Sequence, residues 1–146
     1  MAIDTSAVGK TYPPVLYAVG REKIREYAAA VGETNPLHHD LEAARAAGFR
    51  DLVAPPMFAA VYKAQAIGRA FFDREVGMDF ARMVHGGQEF RWGPLVVAGD
   101  EIETVVSVES IEERAGNGFY AFKSVSTNQD GETVCVGTWT CIVRGG

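Results

Sequence analysis

The feature that most constrains this chain is a change of hydrophobic period near its middle. From Arg82 onward the period is two: Ile102, Thr104, Val106 and Val108 share one face, and Val134, Val136, Thr138, Thr140 and Ile142 share another. Turn signals at Ala115-Gly116-Asn117-Gly118 and Asn128-Gln129-Asp130-Gly131 divide this half into hairpin-linked antiparallel strands, and Gly93-Pro94 with Gly99-Asp100 marks an earlier connection. The first half reads differently. After a short strand near Val15 to Val19, the run Arg21 to Val31 sets Ile24, Tyr27, Ala28 and Val31 on one helical face. The Asn35-Pro36 turn ends that helix, Asp40 caps a short Ala-rich helix stopped by Gly48, and Pro55-Pro56 opens a helix from Met57 to Phe72. This last helix is apolar on nearly all sides apart from Lys63, Gln65 and Arg69, which predicts burial. Helices first and long antiparallel strands afterwards give an α+β order in which a sheet wraps a central helix.

A chain of 146 residues has room for one such core, so a single domain over residues 1–146 is expected. Hydrophobic residues at 47% and charged ones at 23% favour a packed core over disorder. The formal charge of -5, spread along the chain, provides no footprint for nucleic acid. No apolar run approaches the roughly 20 residues of a membrane helix, and the start lacks a basic and apolar leader, so a cytoplasmic protein is expected. Cys135 and Cys141 fall on one face of one strand, roughly 20 Å apart, which places them beyond disulfide reach as two small apolar residues.

The segment Gly32-Glu33-Thr34-Asn35-Pro36-Leu37-His38-His39-Asp40 carries the chemistry. The residue before a proline is held extended, so the backbone turns and can bring Glu33 and His38 to one side. A carboxylate and an imidazole aimed at one point can hold a water. Hydration of an α,β-unsaturated thioester needs one group to deprotonate water as it attacks the β-carbon, and a proton to reach the α-carbon. Asn35 stabilises the turn through an Asx hydrogen bond, with substrate contact as the alternative, and Asp40 is a helix cap. Adjacent histidines point apart and no i, i+4 pair exists on a helix, so His38, His39, Asp40 and His85 make no metal site.

At these residues the chain resembles the MaoC-like family of (R)-specific enoyl-thioester hydratases and 3-hydroxyacyl-thioester dehydratases, whose signature reads Gly-Asp-x-Asn-Pro-x-His-x-Asp. Gly32, Asn35, Pro36, His38 and Asp40 match in order. Ala54-Pro55-Pro56-Met57-Phe58 resembles the start of that family's central helix, Pro94 with Gly99-Asp100 its Pro-x-x-x-x-Gly-Asp strand start, and Val84-His85-Gly86-Gly87-Gln88 the actinobacterial single-domain dehydratase subunits. The resemblance implies a hot-dog fold, no metal or organic cofactor, and a dimer, with an identical or a homologous hot-dog partner. It selects His38 over His39 as the catalytic imidazole and Glu33 as the carboxylate, although Glu33 stands where the family has Asp. Pro56 replaces a common glycine and Val61 a common serine, so the thioester carbonyl is left to N–H groups such as those of Met57 or Phe58 at the positive helix end.

His85, Gly86 and Gly87 lie on the first strand after the central helix, where glycines mark a bulge or the close approach of a ligand or another backbone. In the family this strand borders both the dimer edge and the substrate. The substrate expected is an acyl thioester of coenzyme A or acyl carrier protein. Two other activities fit the same residues: an acyl-binding subunit whose homologous partner supplies the chemistry, and a hot-dog thioesterase.

Overall fold

In the computed structural model, which describes residues 2–146, the second half of the chain supplies four strands of one antiparallel sheet, and the first half supplies the fifth strand and the helix that the sheet covers. Strand β1 spans Val15–Ala18, β2 Met83–Trp92, β3 Glu101–Arg114, β4 Asn117–Thr127 and β5 Thr133–Val143. Their order across the sheet is β1-β3-β4-β5-β2, every neighbour antiparallel. Helix α1 spans Arg21–Ala30, α2 Leu41–Ala46 and α3 Ala59–Phe71. This five-strand sheet with a helix packed against it is the hot-dog fold.

The alternation in β3 holds from Ile102 to Val108, all inward at even positions, and then slips. A bulge between Val108 and Ser110 shifts the register, so the next inward residue is Ile111. In β5 the period marks two faces, and packing decides between them. Cys135, Gly137 and Cys141 face inward, because a helix laid close to a sheet needs small residues beneath it. The larger Val136 and Ile142 keep partial contact with solvent. A Cβ on Gly137 would meet Ser124 Oγ at 2.8 Å and the Phe90 ring at 3.0 Å.

Helix α3 lies on the inner face through Ala59, Tyr62, Lys63, Ala66, Ile67 and Ala70. It begins as a single 3-10 turn at Pro56–Phe58, so the α-helical part starts two residues later than the sequence pattern suggested. One end of the core gathers Ile24, Leu52, Phe58, Tyr62 and Ile102, and the other Ile67, Val106, Val108 and Phe122. Strand β2 has β5 on one side and no strand on the other, and it exposes Val84 and Trp92.

Candidate active site

Gly32 shapes the beginning of the site. Its φ of +72° is open to glycine without strain, and it closes α1 in a Schellman motif: Gly32 N–H donates to Ala29 O at 3.2 Å and Glu33 N–H to Ala28 O at 2.8 Å. The chain then leaves the helix axis sharply, with Glu33 exposed. The side chain of Asn35 accepts from Leu37 N–H at 3.0 Å, which folds Pro36–His38 into a 3-10 turn. Asn35 therefore occupies the turn role expected of it. Asp40 Oδ1 accepts from Glu42 N–H at 2.9 Å and caps α2.

Two arginines of α1 pin the segment beyond this turn. Arg25 Nε donates to His39 O at 3.1 Å, and Arg21 makes a two-pronged contact with Asp51 at 2.8 to 3.1 Å. The Arg21 guanidinium holds the Asp51 carboxyl below its usual range. Residues 39 to 51 are thus fastened at both ends to one helix, and Leu52-Val53-Ala54 is laid between the turn and the sheet connection. Val53 N–H donates to Leu37 O at 2.9 Å, Ala54 N–H to Val96 O at 2.8 Å, and Ala98 N–H to Leu52 O at 2.9 Å.

This strip orients His38. The imidazole is 7% exposed, and its Nδ1 lies 2.6 Å from Val53 O. A carbonyl oxygen only accepts, so Nδ1 carries the proton and, in the neutral ring, Nε2 keeps its lone pair. His39 is arranged the other way round: its Nε2 donates to Glu33 O at 2.7 Å, which ties the ring to the turn's backbone. Glu33 accepts from Asn35 N–H at 3.3 Å, and no direct hydrogen bond joins its carboxylate to His38 among the described residues.

The expected carbonyl donors divide. Phe58 N–H is already given to Pro55 O at 2.8 Å, and its side chain is fully buried edge-on against Tyr17, Tyr27 and Tyr62. Phe58 is therefore a core residue that offers a ligand nothing, because the 3-10 turn consumes its N–H. Met57 N–H has no backbone acceptor among the described residues, and its side chain is half exposed.

Gly86 sits in a bulge between His85 and Gly87, where a Cβ would fall 2.5 Å from Ile142 Cδ1. Close packing onto β5 accounts for that glycine. Gly87 has only ordinary contacts in reach, with Thr140 at 3.7 Å. The exposed His85 stacks on Trp139 with centroids 5.7 Å apart and donates from Nε2 to Gly87 O at 2.8 Å. His85 and Trp92 are seven residue steps apart along β2, about 23 Å at the usual rise, so within one chain His85 stands far from the Val53 and Val97 end of the sheet.

Two residues named in the sequence have roles there that the pattern did not assign. Asp100 is an anchor, 4% exposed, accepting from Val97 N–H at 2.9 Å, Arg50 at 2.7 Å and Gln129 at 2.9 Å. Lys63 is buried completely, its Nζ donating to Ser124 Oγ at 3.0 Å and Cys135 O at 3.3 Å, with no carboxylate in ion-pair range among the described residues. Burial pulls its pKa down to about 8. A helical position flanked by apolar residues was the one signal that pointed to it.

The fold has counterparts among known proteins. Over 96% of its length the chain superposes on 99% of a chain of the C-terminally truncated HadBC (3R-hydroxyacyl-ACP dehydratase) complex from Mycobacterium tuberculosis, with a TM-score of 0.82 and 32% identity. A MaoC-like dehydratase gives a TM-score of 0.87 and 32% identity over 97% of the chain, which spans 43% of that longer protein. The (R)-hydratase of A. caviae involved in PHA biosynthesis, at 20% identity and a TM-score of 0.74, shares the fold. The class is thus that of the hot-dog dehydratases. Residues 6–136 match the family described as FAS1-like, dehydratase domain region, and the chain belongs to that family. Its sequence relatives include UPF0336 proteins of Saccharopolyspora erythraea, 45% identical over 99% of this chain and 94% of theirs, and of Streptomyces coelicolor, 43% identical over 98% and 95%.

Proposed function

We propose that the protein hydrates trans-2-enoyl thioesters in the (R) sense, or runs the reverse dehydration of 3-hydroxyacyl thioesters, on coenzyme A or acyl carrier protein. The observation that carries this reading is the His38 Nδ1 bond to Val53 O, which dedicates Nε2 to accepting a proton. Water held between Nε2 and the Glu33 carboxylate loses a proton to Nε2 as its oxygen bonds to the β-carbon. The imidazolium then gives that proton up and the α-carbon receives one, so the elements of water are added across the double bond and the ring is neutral again. Met57 N–H is the donor left for the thioester oxygen, on which charge builds during the attack.

The working unit is a dimer joined along the open edge of β2. An edge strand that exposes Val84 and Trp92 leaves its outer backbone groups without a strand partner, blunted only by Glu89, Arg91 and the bulge at Gly86. Antiparallel pairing of two such strands about Gln88 would carry His85 to the Trp92 end of the other subunit, which gives His85 and Gly87 their route to substrate. The partner is a second copy or a homologous hot-dog subunit, and the likeness to a HadBC chain favours keeping the second possibility as a distinct reading. There the chain binds the acyl group while its partner supplies the chemistry.

The deciding assay follows loss of the enoyl absorbance of crotonyl thioester by the purified protein, with free thiol measured in parallel. Hydration without thiol release supports the proposal. Thiol release makes the protein a thioesterase, and activity found only after mixing with a homologous subunit assigns it the binding role. Sedimentation of an active monomer at micromolar concentration would remove the interface.

A further inference from the structure

We infer that Arg21 and Arg25, one turn apart on a single face of α1, are positioning residues that jointly set the hydrogen bond between His38 and Val53. The inference rests on the hydratase reading above and deepens it by assigning the side chains that aim its base.

The two ends of that bond belong to different stretches of chain, and each stretch is held by one arginine. On the donor side, Arg25 Nε donates to the carbonyl of His39, the residue next to the imidazole, at 3.1 Å, while its Nη1 is braced by Glu22. On the acceptor side, Arg21 grips both oxygens of Asp51, and Asp51 Oδ1 also accepts from Leu52 N–H at 2.8 Å, so the backbone is fixed one residue before Val53. The two anchors are joined by four residues of helix, a rigid rise of about 6 Å. That helix is itself fixed to the core: Ile24 and Ala28 are fully buried, and Tyr27 packs edge-on against Phe58.

Neither contact is well suited to stabilising the fold. Arg21 is the first residue of α1, where the unpaired N–H groups of the helix end disfavour a cation, and the Gly20 cap has no side-chain hydrogen bond to offset this. The side chains of Arg21 and Arg25 are 45% and 35% exposed, so solvent screens their ion pairs. What the contacts supply is geometry. The imidazole reaches from one held segment to the other, so releasing either segment lets Nδ1 and Val53 O part, and Nε2 loses its aim. Val53 N–H still donates to Leu37 O when an arginine is removed, which keeps the segments together in a folded but less exact arrangement. Because either release suffices, losing both arginines should cost hardly more than losing one.

The test has a readout that does not depend on activity. Proton–nitrogen correlation spectra of the protein labelled with nitrogen-15 histidine report which ring nitrogen of His38 is protonated, the signal being assigned by its loss in His38→Ala. Wild type should show the Nδ1–H form alone, and Arg21→Ala and Arg25→Ala should each convert it to a mixture of both tautomers. On crotonyl thioester each variant should lose about tenfold in kcat with KM within about twofold, and the double variant should also lose about tenfold rather than a hundredfold. Arg25→Lys, which keeps one donor on a long stem, should recover most of the loss. Arg21→Lys keeps the charge without the two-pronged grip and is read in place of Arg21→Ala if the latter does not fold. An unchanged His38 tautomer in both single variants overturns the inference, as does a changed tautomer with unchanged kcat or a multiplicative loss in the double variant, and each of these leaves the hydratase reading standing. A tautomer that shifts in a protein without hydration activity supports the positioning role and removes the hydratase reading instead.

Discussion

His38 and Lys63 are both polar side chains held almost wholly out of water, and each is fastened by a main-chain carbonyl, Val53 O in one case and Cys135 O in the other. They differ in what the bond leaves over. A neutral imidazole that donates from one nitrogen has a lone pair on the other, so fixing it creates an oriented base. An ammonium has only donors, so fixing it leaves a buried charge and no lone pair. The carbonyls differ in setting. Val53 belongs to a strip hung between a turn and a strand connection, while Cys135 is the third residue of β5, beneath α3. Burial of a titratable group therefore has no single meaning: under the proposed hydratase reading it orients a base at His38, whereas at Lys63 it completes a packed interior.

The largest expected effect breaks the comparison at its reactive side. His38→Ala and Glu33→Gln should each lower kcat for hydration by about 100-fold or more, the low end for a positioned acid or base, with circular dichroism unchanged. His39→Ala should stay within a few-fold, because that ring donates to Glu33 O and keeps no tie to the strip. A dead His39→Ala beside a working His38→Ala would transfer the catalytic role to the neighbouring ring.

Lys63→Met tests the other side through stability. Burial lowers the lysine from 10.5 to about 8 in the folded protein, so between those pH values the unfolded chain binds the extra proton. Wild-type stability should accordingly rise from pH 8 toward pH 9, by at most about 1.4 kcal/mol at 1.36 kcal/mol per pH unit. Lys63→Met should flatten that rise and be at least as stable as wild type at pH 7. The window closes near pH 9, where the unfolded chain begins to lose the protons of Cys135 and Cys141 that burial retains in the folded protein, and the buried Tyr62 and Tyr12 add to this near pH 10. A wild-type curve flat from pH 8 to 9 would mean that the ammonium is compensated in solution.

How far these two side chains could be read in advance depends on the range of the forces that place them. The Gly32 to Asp40 turn is local: a left-handed glycine, an Asx bond and a proline act within nine residues, and each has a residue type that performs it. The period-two strands were legible for the same reason. The slot for Lys63 is made by β4 and β5, more than sixty residues away, and no local pattern distinguishes a lysine that enters it from one that reaches water. The bulge in β3 and the choice of inner face in β5 likewise depend on what α3 presses against. Phe58 shows the converse, since its place beside the conspicuous Pro-Pro step suggested a donor that the 3-10 turn had already used.

A smaller effect is expected at Asp100, which supports the strip behind His38. Its carboxylate holds Val97 N–H, and Val97 bridges to Val53, whose carbonyl orients His38. Asp100→Ala leaves that buried N–H without its acceptor and should lower stability by about 1–3 kcal/mol in denaturant titration. Because the loss enters through the strip, it should also reduce kcat at temperatures where the protein is still folded. Lowered stability with an unaltered kcat would show that the orientation of His38 does not depend on this anchor.

The smallest expected effect is none at all, and it probes how tightly the centre of the sheet is closed. Cys135 and Cys141 are at most 1% exposed, and burial raises both thiols, that of Cys141 to about 11. Only the thiolate attacks an alkylating or disulfide reagent, and at pH 7.5 fewer than about one Cys141 in a thousand is in that form. A thiol reagent should therefore leave the native protein unlabelled and its turnover intact, and label both cysteines once denaturant is added, as counted by mass spectrometry. Cys135 supplies the carbonyl that Lys63 holds, so its labelling is a direct report on the slot. Rapid native labelling at Cys135 but not at Cys141 would mean that α3 lifts from β5 often enough to admit a reagent. The contrast between His38 and Lys63 would then be partly one of rates, with the packing around the lysine opening transiently.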